Sequence, residues 1–269
     1  MENKGIWRDG LVRAFHPKYL FSDLFDVSGG KRLYLLFLLA IQLVSFFVIF
    51  SNGQFHLQVN PTIINMVSLL AAVTGVFSVV LVANGRITNY FWGVVESLAY
   101  IYVSFDSHLY GEVYLNLFFI TMDFIGIYQW SKADHQKNQK HTEKVISRAM
   151  SVRGWLLLTI SILVAWWLLS QFLLRVPFIT PQLDPHPYVD SMSTVLQVFA
   201  MILMAFRFGA SQWTLWNISH IAELILWTVN FNPVMLALWI AFSINSIYGF
   251  YVWTFKLTDR TNQKKEAAL

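Results

Sequence analysis

Long apolar stretches broken by short polar turns run through most of this chain. They fall at roughly 33–50, 62–83, 88–104, 112–131, 154–174, 191–207, 213–230 and 235–256. Each is near the ~20 residues that a helix needs to cross a bilayer. Inside several of them the polar residues recur at helical spacing, which predicts helices that each carry one polar face. The third stretch carries Asn89, Trp92, Glu96 and Tyr100, and a polar turn at Asp106–Gly111 joins it to the fourth, which carries Asn116 and Asp123. In the seventh, Trp213, Trp216, Asn217, His220 and Trp227 form a stripe with Glu223 beside it. Gln197 stands alone in the sixth, Asn245 and Tyr248 lie one turn apart in the eighth, and Asn65, Ser68, Ala72 and Gly75 give the second a small polar face. Before the first stretch, residues 1–31 mix basic and aromatic side chains such as Trp7, Arg8, Arg13 and Lys18. They read either as an amphipathic helix on a membrane surface or as a loosely ordered basic tail.

Composition narrows the class. Of 269 residues, 56% are apolar, 17% aromatic and only 13% charged, against about a quarter charged in soluble domains. The expected fold is an all-α polytopic membrane protein with eight transmembrane helices. With no cysteine, disulfide and thiolate chemistry are excluded. The N-terminus has no short apolar core followed by a small-residue cleavage site, so no cleavable signal peptide is expected.

The net charge of +4 does not point to nucleic acid, because of where the charge lies. With eight spans and the N-terminus inside, eighteen of the nineteen lysines and arginines fall on one side, and Arg175 is the exception. That is the bias expected of cytoplasmic loops, so both termini are expected in the cytoplasm of a multi-pass inner-membrane protein facing anionic lipid.

The second half of the chain echoes the first. Asn89-Tyr90-Phe91-Trp92-Gly93 opens one middle helix and Gln212-Trp213-Thr214-Leu215-Trp216-Asn217 opens another; Trp92 aligns with Trp216 and Glu96 with His220. One residue is then lost in the turn, and Gly126-x-Tyr128-x-Trp130 aligns with Gly249-x-Tyr251-x-Trp253. The layout becomes a cytoplasmic segment 1–32, an extra helix 33–50, a three-helix repeat 62–131, a linker helix 154–174, a second repeat 191–256 and a cytoplasmic tail 257–269. This is one extra helix plus a 3+1+3 parallel arrangement, and such repeats place a binding cavity at their interface near the bilayer midplane.

Candidate lining residues are Gln197, Trp216, Asn217, His220, Glu223, Asn245, Tyr248, Trp92, Glu96, Asn116, Asp123 and Tyr128. Aromatics interleaved with amides suit a flat, polar, weakly charged ligand, with cation–π attraction for a cationic ring. Each residue also has a structural reading. Trp7, Trp130, Trp155 and Trp253 read as interface anchors, buried amides glue helices, and Glu96, Asp123, His220 and Glu223 suit interhelical pairing. Enzyme chemistry finds little support: there is no metal cluster, phosphate loop or nucleophile elbow, and no cofactor is called for. No relay of carboxylates stands out, so ion coupling is not indicated.

These residues together resemble the PnuC family of bacterial vitamin transporters, through Ile87-Thr88-Asn89-Tyr90-Phe91-Trp92-Gly93, Gly126-Ile127-Tyr128-Gln129-Trp130, Ala200-Met201-Ile202-Leu203-Met204 and Gln212-Trp213-Thr214-Leu215-Trp216-Asn217. The resemblance covers about 62–256. It implies a SWEET-like fold and import of nicotinamide riboside by facilitated diffusion, with alternating access. It also implies trapping by a separate cytoplasmic riboside kinase, and a homotrimer. The alternatives are thiamine or riboflavin on the same scaffold, an intramembrane enzyme using Glu96, Asp123 and His220, and a receptor or scaffold without flux.

Overall fold

The computed structural model describes residues 2–25, 29–51, 54–57, 61–139, 147–175 and 183–257. The tail beyond 257, with Arg260, Lys264 and Lys265, and the loop residues Lys140 and Lys144 of the charge count lie outside them.

The chain opens with two helices, α1 (Glu2–Phe15) and α2 (Pro17–Phe25). A helix then forms in every expected stretch: α3 (Gly29–Phe47), α4 (Ile63–Ala83), α5 (Asn89–Asp106), α6 (Tyr110–Gln139), α7 (Val152–Leu173), α8 (Pro187–Ala205), α9 (Gly209–Val229) and α10 (Pro233–Val252). The end of the first stretch departs from expectation. Val48, Ile49 and Phe50 leave the helix for a strand, β1 (Val48–Ser51), paired antiparallel with β2 (Gln54–Leu57); β-branched and aromatic residues suit that pleated surface. Among the described residues, α4, α7, α8 and α10 are long and apolar enough to cross a membrane, while α5, α6 and α9 carry carboxyl, amide and imidazole groups in their spans.

Local chemistry sets the ends. Thr62 caps α4 by accepting from the Asn65 N–H, and Ser151 caps α7 by accepting from the Gly154 N–H. Asn232 accepts from the Val234 and Met235 N–H groups ahead of α10, where Pro233 fills the first position and needs no partner. Three helices stop in the same way, α5 among them through the Leu109 N–H on the Ser104 carbonyl (2.9 Å) with His108 left-handed at φ 58°. The Arg86 N–H donates to the Leu81 carbonyl at 2.9 Å, and the Phe208 N–H donates to the Leu203 carbonyl at 2.8 Å. Each closure needs a left-handed residue. Glycine supplies it after α4 (Gly85, φ 71°), whereas Arg207 (φ 59°) supplies it after α8, against about 1–2 kcal/mol of steric cost to a residue with a Cβ.

Six helices close into a ring in the order α4, α5, α6, α8, α9, α10 and back to α4. The two seams are α6 against α8 and α10 against α4, and matching bonds cross them. The Trp130 indole N–H donates to the Met204 carbonyl (3.3 Å), and the Trp253 indole N–H donates to the Val82 carbonyl (3.2 Å). Both indoles, expected as interface anchors, are fully buried. Inside each half an aromatic ring lies on a glycine: Tyr90 on Gly126 and Trp213 on Gly249. These contacts make Trp213 the counterpart of Tyr90, one residue away from the alignment that pairs Trp92 with Trp216.

Outside the ring, α3 lies along α4 and α10, and α7 lies along α8. The outward side of α7 exposes Leu156, Leu157, Ile160, Leu163, Val164, Trp167 and Leu168, an apolar surface of the kind that faces lipid. The basic segment at the N-terminus is helical and docked. α1 lies against α6, with Trp7 edge-on to Tyr128 and Gly10 against Ser131, while Asp23 of α2 accepts from Thr88 (2.7 Å) and pairs with Arg86 (3.4 Å).

A methyl group at either glycine would drive into a buried aromatic ring. Gly126→Ala and Gly249→Ala should each cost about 1–3 kcal/mol, read as a lowered unfolding temperature of the detergent-solubilised protein. Tyr90→Leu should recover part of the Gly126→Ala loss and none of the Gly249→Ala loss.

Candidate functional site

Each of the six ring helices contributes at least three residues to a central cavity of about 740 Å³, counted with its open mouth. α4 contributes Ser78, Val79 and Val82; α5, Asn89, Gly93, Glu96, Ser97 and Tyr100; α6, Glu112, Asn116, Phe119 and Asp123. Facing them are Gln197, Met201 and Met204 of α8, Trp213, Trp216 and His220 of α9, and Trp239, Phe242 and Asn245 of α10.

Seven of the twelve sequence candidates therefore share one wall: Glu96, Asn116, Asp123, Gln197, Trp216, His220 and Asn245. Small residues let the carboxyls lie flat. A methyl at Gly75 would come within 2.9 Å of the Glu96 carboxyl, and one at Gly93 within 3.1 Å of Asp123. Asn116 donates to the Glu112 carbonyl (2.8 Å), which leaves its side-chain oxygen unused. Gln197 donates its amide to Ser193 (2.9 Å) and to Glu223, turning its own amide oxygen away from them. His220 meets the Ser246 hydroxyl at 3.2 Å and is ringed by Trp216, Trp239 and Phe242. Asn245 both lines the cavity and ties the seam, donating to the Val79 carbonyl (2.8 Å) and accepting from Tyr34 (3.3 Å).

The other five candidates stand behind the wall. Asn217 bridges α9 and α10, donating to the Trp213 carbonyl (2.7 Å) and accepting from Ser246 (2.9 Å). Glu223 is buried and accepts from Ser193 and Gln197. Tyr248 lies against Tyr34, Trp92 against Phe77 and Phe91, and Tyr128 against Trp7.

Sequence reasoning missed some of the wall. Tyr100, expected on the polar face of α5 but not named as a lining candidate, accepts at its hydroxyl from both the Trp227 indole (2.7 Å) and the Trp239 indole (2.9 Å), and both rings meet it edge-on. Trp239, Phe242 and Asn245 share one face of α10, so the amide anchoring that face was an available signal. Glu112, the first residue of the expected fourth stretch and not among the candidates, is buried in the first turn of α6.

The carboxyl groups are less scattered than the sequence indicated. Glu112 lies close to Glu223, and Asp190 to Asp184, while the Gly111 N–H and the Thr194 hydroxyl donate to Asp190. Among the described residues, no lysine or arginine pairs with any of these four. Gln197 is accordingly not alone on its helix: Asp190, Ser193, Thr194 and Gln197 form one polar stripe whose first member precedes the expected start of the segment.

Comparison with known proteins gives concordant results. Residues 65–255 match the family described as nicotinamide mononucleotide transporter. The chain is 34% identical over 196 residues to a nicotinamide riboside transporter PnuC of Haemophilus influenzae, covering 72% of this chain and 81% of that one. It is 33% identical over 198 residues to the Neisseria mucosa protein of the same name, covering 71% and 72% respectively. The crystal structure of the vitamin B3 transporter PnuC superposes with a TM-score of 0.66 at 30% identity, covering 84% of this chain and 91% of that chain.

The Tyr100 hydroxyl is the partner of two buried indole N–H groups. Tyr100→Phe should therefore cost about 1–3 kcal/mol through unpaired donors, measured by thermal unfolding. Adding Trp227→Phe should cost less than it does alone, since one orphaned donor is then gone.

Proposed function

The chain belongs to the nicotinamide mononucleotide transporter family, the PnuC transporters, and from that premise we propose that it carries nicotinamide riboside, without its phosphate, across the membrane. The family description says mononucleotide and the relatives' names say riboside; the composition of the cavity wall supports the riboside. Its wall holds Glu96, Glu112 and Asp123 and no lysine or arginine. Nicotinamide riboside is a pyridinium nucleoside whose ring is flat and cationic, so it gains from carboxylates and from indole faces alike. Asn116, Gln197 and the carboxyls suit ribose hydroxyls. A 5′-phosphate finds no lysine or arginine in that wall, and an anion buried without a partner costs several kcal/mol.

The mechanism we favour is alternating access between two three-helix units, 62–131 and 191–256, joined through the linker helix 154–174 as parallel repeats of SWEET-like type. The paired crossings Trp130–Met204 and Trp253–Val82 support it, because opening that end of the ring breaks the same bond at both seams, at about 1 kcal/mol each. Both termini and the 132–153 loop face the cytoplasm by the charge bias of the loops, which fits eight spans in a bacterial inner membrane. Flux is facilitated diffusion, and a cytoplasmic kinase traps the riboside by phosphorylating it to a form the cavity disfavours. The homotrimer rests on the family resemblance. The relatives are named as transporters, and the enzyme alternative is set aside with them. The wall residues are the substrate-binding set; of the other candidates, Asn217 and Glu223 brace that wall through Ser246, Ser193 and Gln197, while Tyr248, Trp92 and Tyr128 pack against neighbouring rings.

Calorimetry on purified protein tests the reading. Nicotinamide riboside should bind, and its mononucleotide about a hundredfold more weakly or worse. Trp216→Ala and Gln197→Ala should each weaken riboside binding by about tenfold or more. Equal binding of riboside and mononucleotide overturns the charge argument, and binding of thiamine instead replaces the substrate while keeping the cavity.

A further inference from the structure

A second cavity, of about 520 Å³ counted with its open mouth, lies at the end of the ring where α8 stops, and its wall includes Gln129, Lys132, Arg148 and Arg207. Arg207 is only 4% exposed. One of its nitrogens, Nη2, donates to Asp134 at 3.0 Å, and the guanidinium lies 4.5 Å from the centre of the Trp130 ring. Its Nε and Nη1 are buried without a partner. Buried charged donors are seldom left unpaired, because the lost hydration is not replaced. The position is also conformationally costly: Arg207 sits at φ 59°, in the closure that Gly85 makes after α4. A half-used guanidinium is therefore held in a backbone conformation that suits glycine.

The rest of the wall has the same sign. Lys132 and Arg148 are exposed, and neither pairs with a carboxylate among the described residues. Arg148 is anchored where it stands: its backbone N–H donates to the Arg207 carbonyl at 2.8 Å, and its guanidinium carbon lies 6.0 Å from the Phe208 ring centre. Among the described residues, three cations thus stand beside one carboxylate, that of Asp134.

We infer that this cavity binds a phosphate group. A phosphate offers several acceptor oxygens to the two unused Arg207 nitrogens, the Lys132 ammonium and the Gln129 amide, and charge-assisted bonds of this kind are the strong ones. The phosphate comes either from an anionic phospholipid headgroup at the interface or from a soluble phosphate. The site is separate from the transport cavity, whose wall offers that group no lysine or arginine.

Two arms distinguish the sources. In nanodiscs of phosphatidylcholine alone, inorganic phosphate is titrated at constant ionic strength by calorimetry. In phosphate-free buffer, the unfolding temperature is compared between phosphatidylcholine nanodiscs and nanodiscs containing phosphatidylglycerol. Saturable phosphate binding identifies a soluble ligand, and stabilisation by phosphatidylglycerol identifies a lipid. Either effect should weaken at least tenfold, or vanish, in Arg207→Gly, a change that suits the backbone, and should weaken in Lys132→Ala and Arg148→Ala, which alter exposed side chains. No effect in either arm overturns the inference, as does an effect that survives in Lys132→Ala and Arg148→Ala.

Discussion

Close approach between helices is the constraint on which this structure depends. In lipid, helices gain nothing from burying apolar surface against one another, so the bundle is held by packing contact and by satisfied polar groups. Tyr90 lying on Gly126 and Trp213 lying on Gly249 bring the second and third helices of each half together. Trp130 and Trp253, one turn beyond those glycines, then reach across the two seams to carbonyls near the ends of α8 and α4. Glycine and tryptophan in the short Gly-x-Tyr-x-Trp motif thus perform separate tasks, one within a half and one between halves.

That closure leaves a central space whose wall is set by what the helices can afford to bury. Glu96 and Asp123 lie flat only because Gly75 and Gly93 leave room. Gln197 is oriented from behind by Ser193 and Glu223, and Asn245 is held by Val79 and Tyr34. Polar groups fixed in this way, with the Gln197 oxygen still free, have little freedom left to lose on binding. The Trp227–Tyr100–Trp239 cluster does the same for aromatic faces, because one hydroxyl fixes two indoles. Charge is divided along the molecule: carboxylates line the centre, and cations gather where α8 ends.

The helices were legible because apolar length and helical polar spacing are properties of the local sequence. The hairpin after α3 was not, since Val48, Ile49 and Phe50 are as apolar as the helix they leave. Burial of Trp130 and Trp253 was hidden because a tryptophan near a helix end serves equally as a membrane anchor or a seam bond. Glu96, Asp123, Gln197 and His220 were readable as cavity residues since polar groups in an apolar helix turn away from lipid. Asn217 and Glu223 satisfy the same rule by bonding neighbouring helices, and only the packing of α8, α9 and α10 tells the two outcomes apart. Glu112 and Asp190 sat at the first turns of their helices, where a sequence reading places solvent.

The central claim is that the six-helix cavity carries an unphosphorylated pyridinium nucleoside down its gradient. Counterflow in proteoliposomes loaded with unlabelled nicotinamide riboside, with labelled riboside outside and no ion gradient, tests it most directly. The account predicts transient accumulation of chemically unchanged label, blocked by excess external riboside and untouched by excess mononucleotide. Accumulation that requires an ion gradient, or that mononucleotide blocks as well as riboside does, would contradict it.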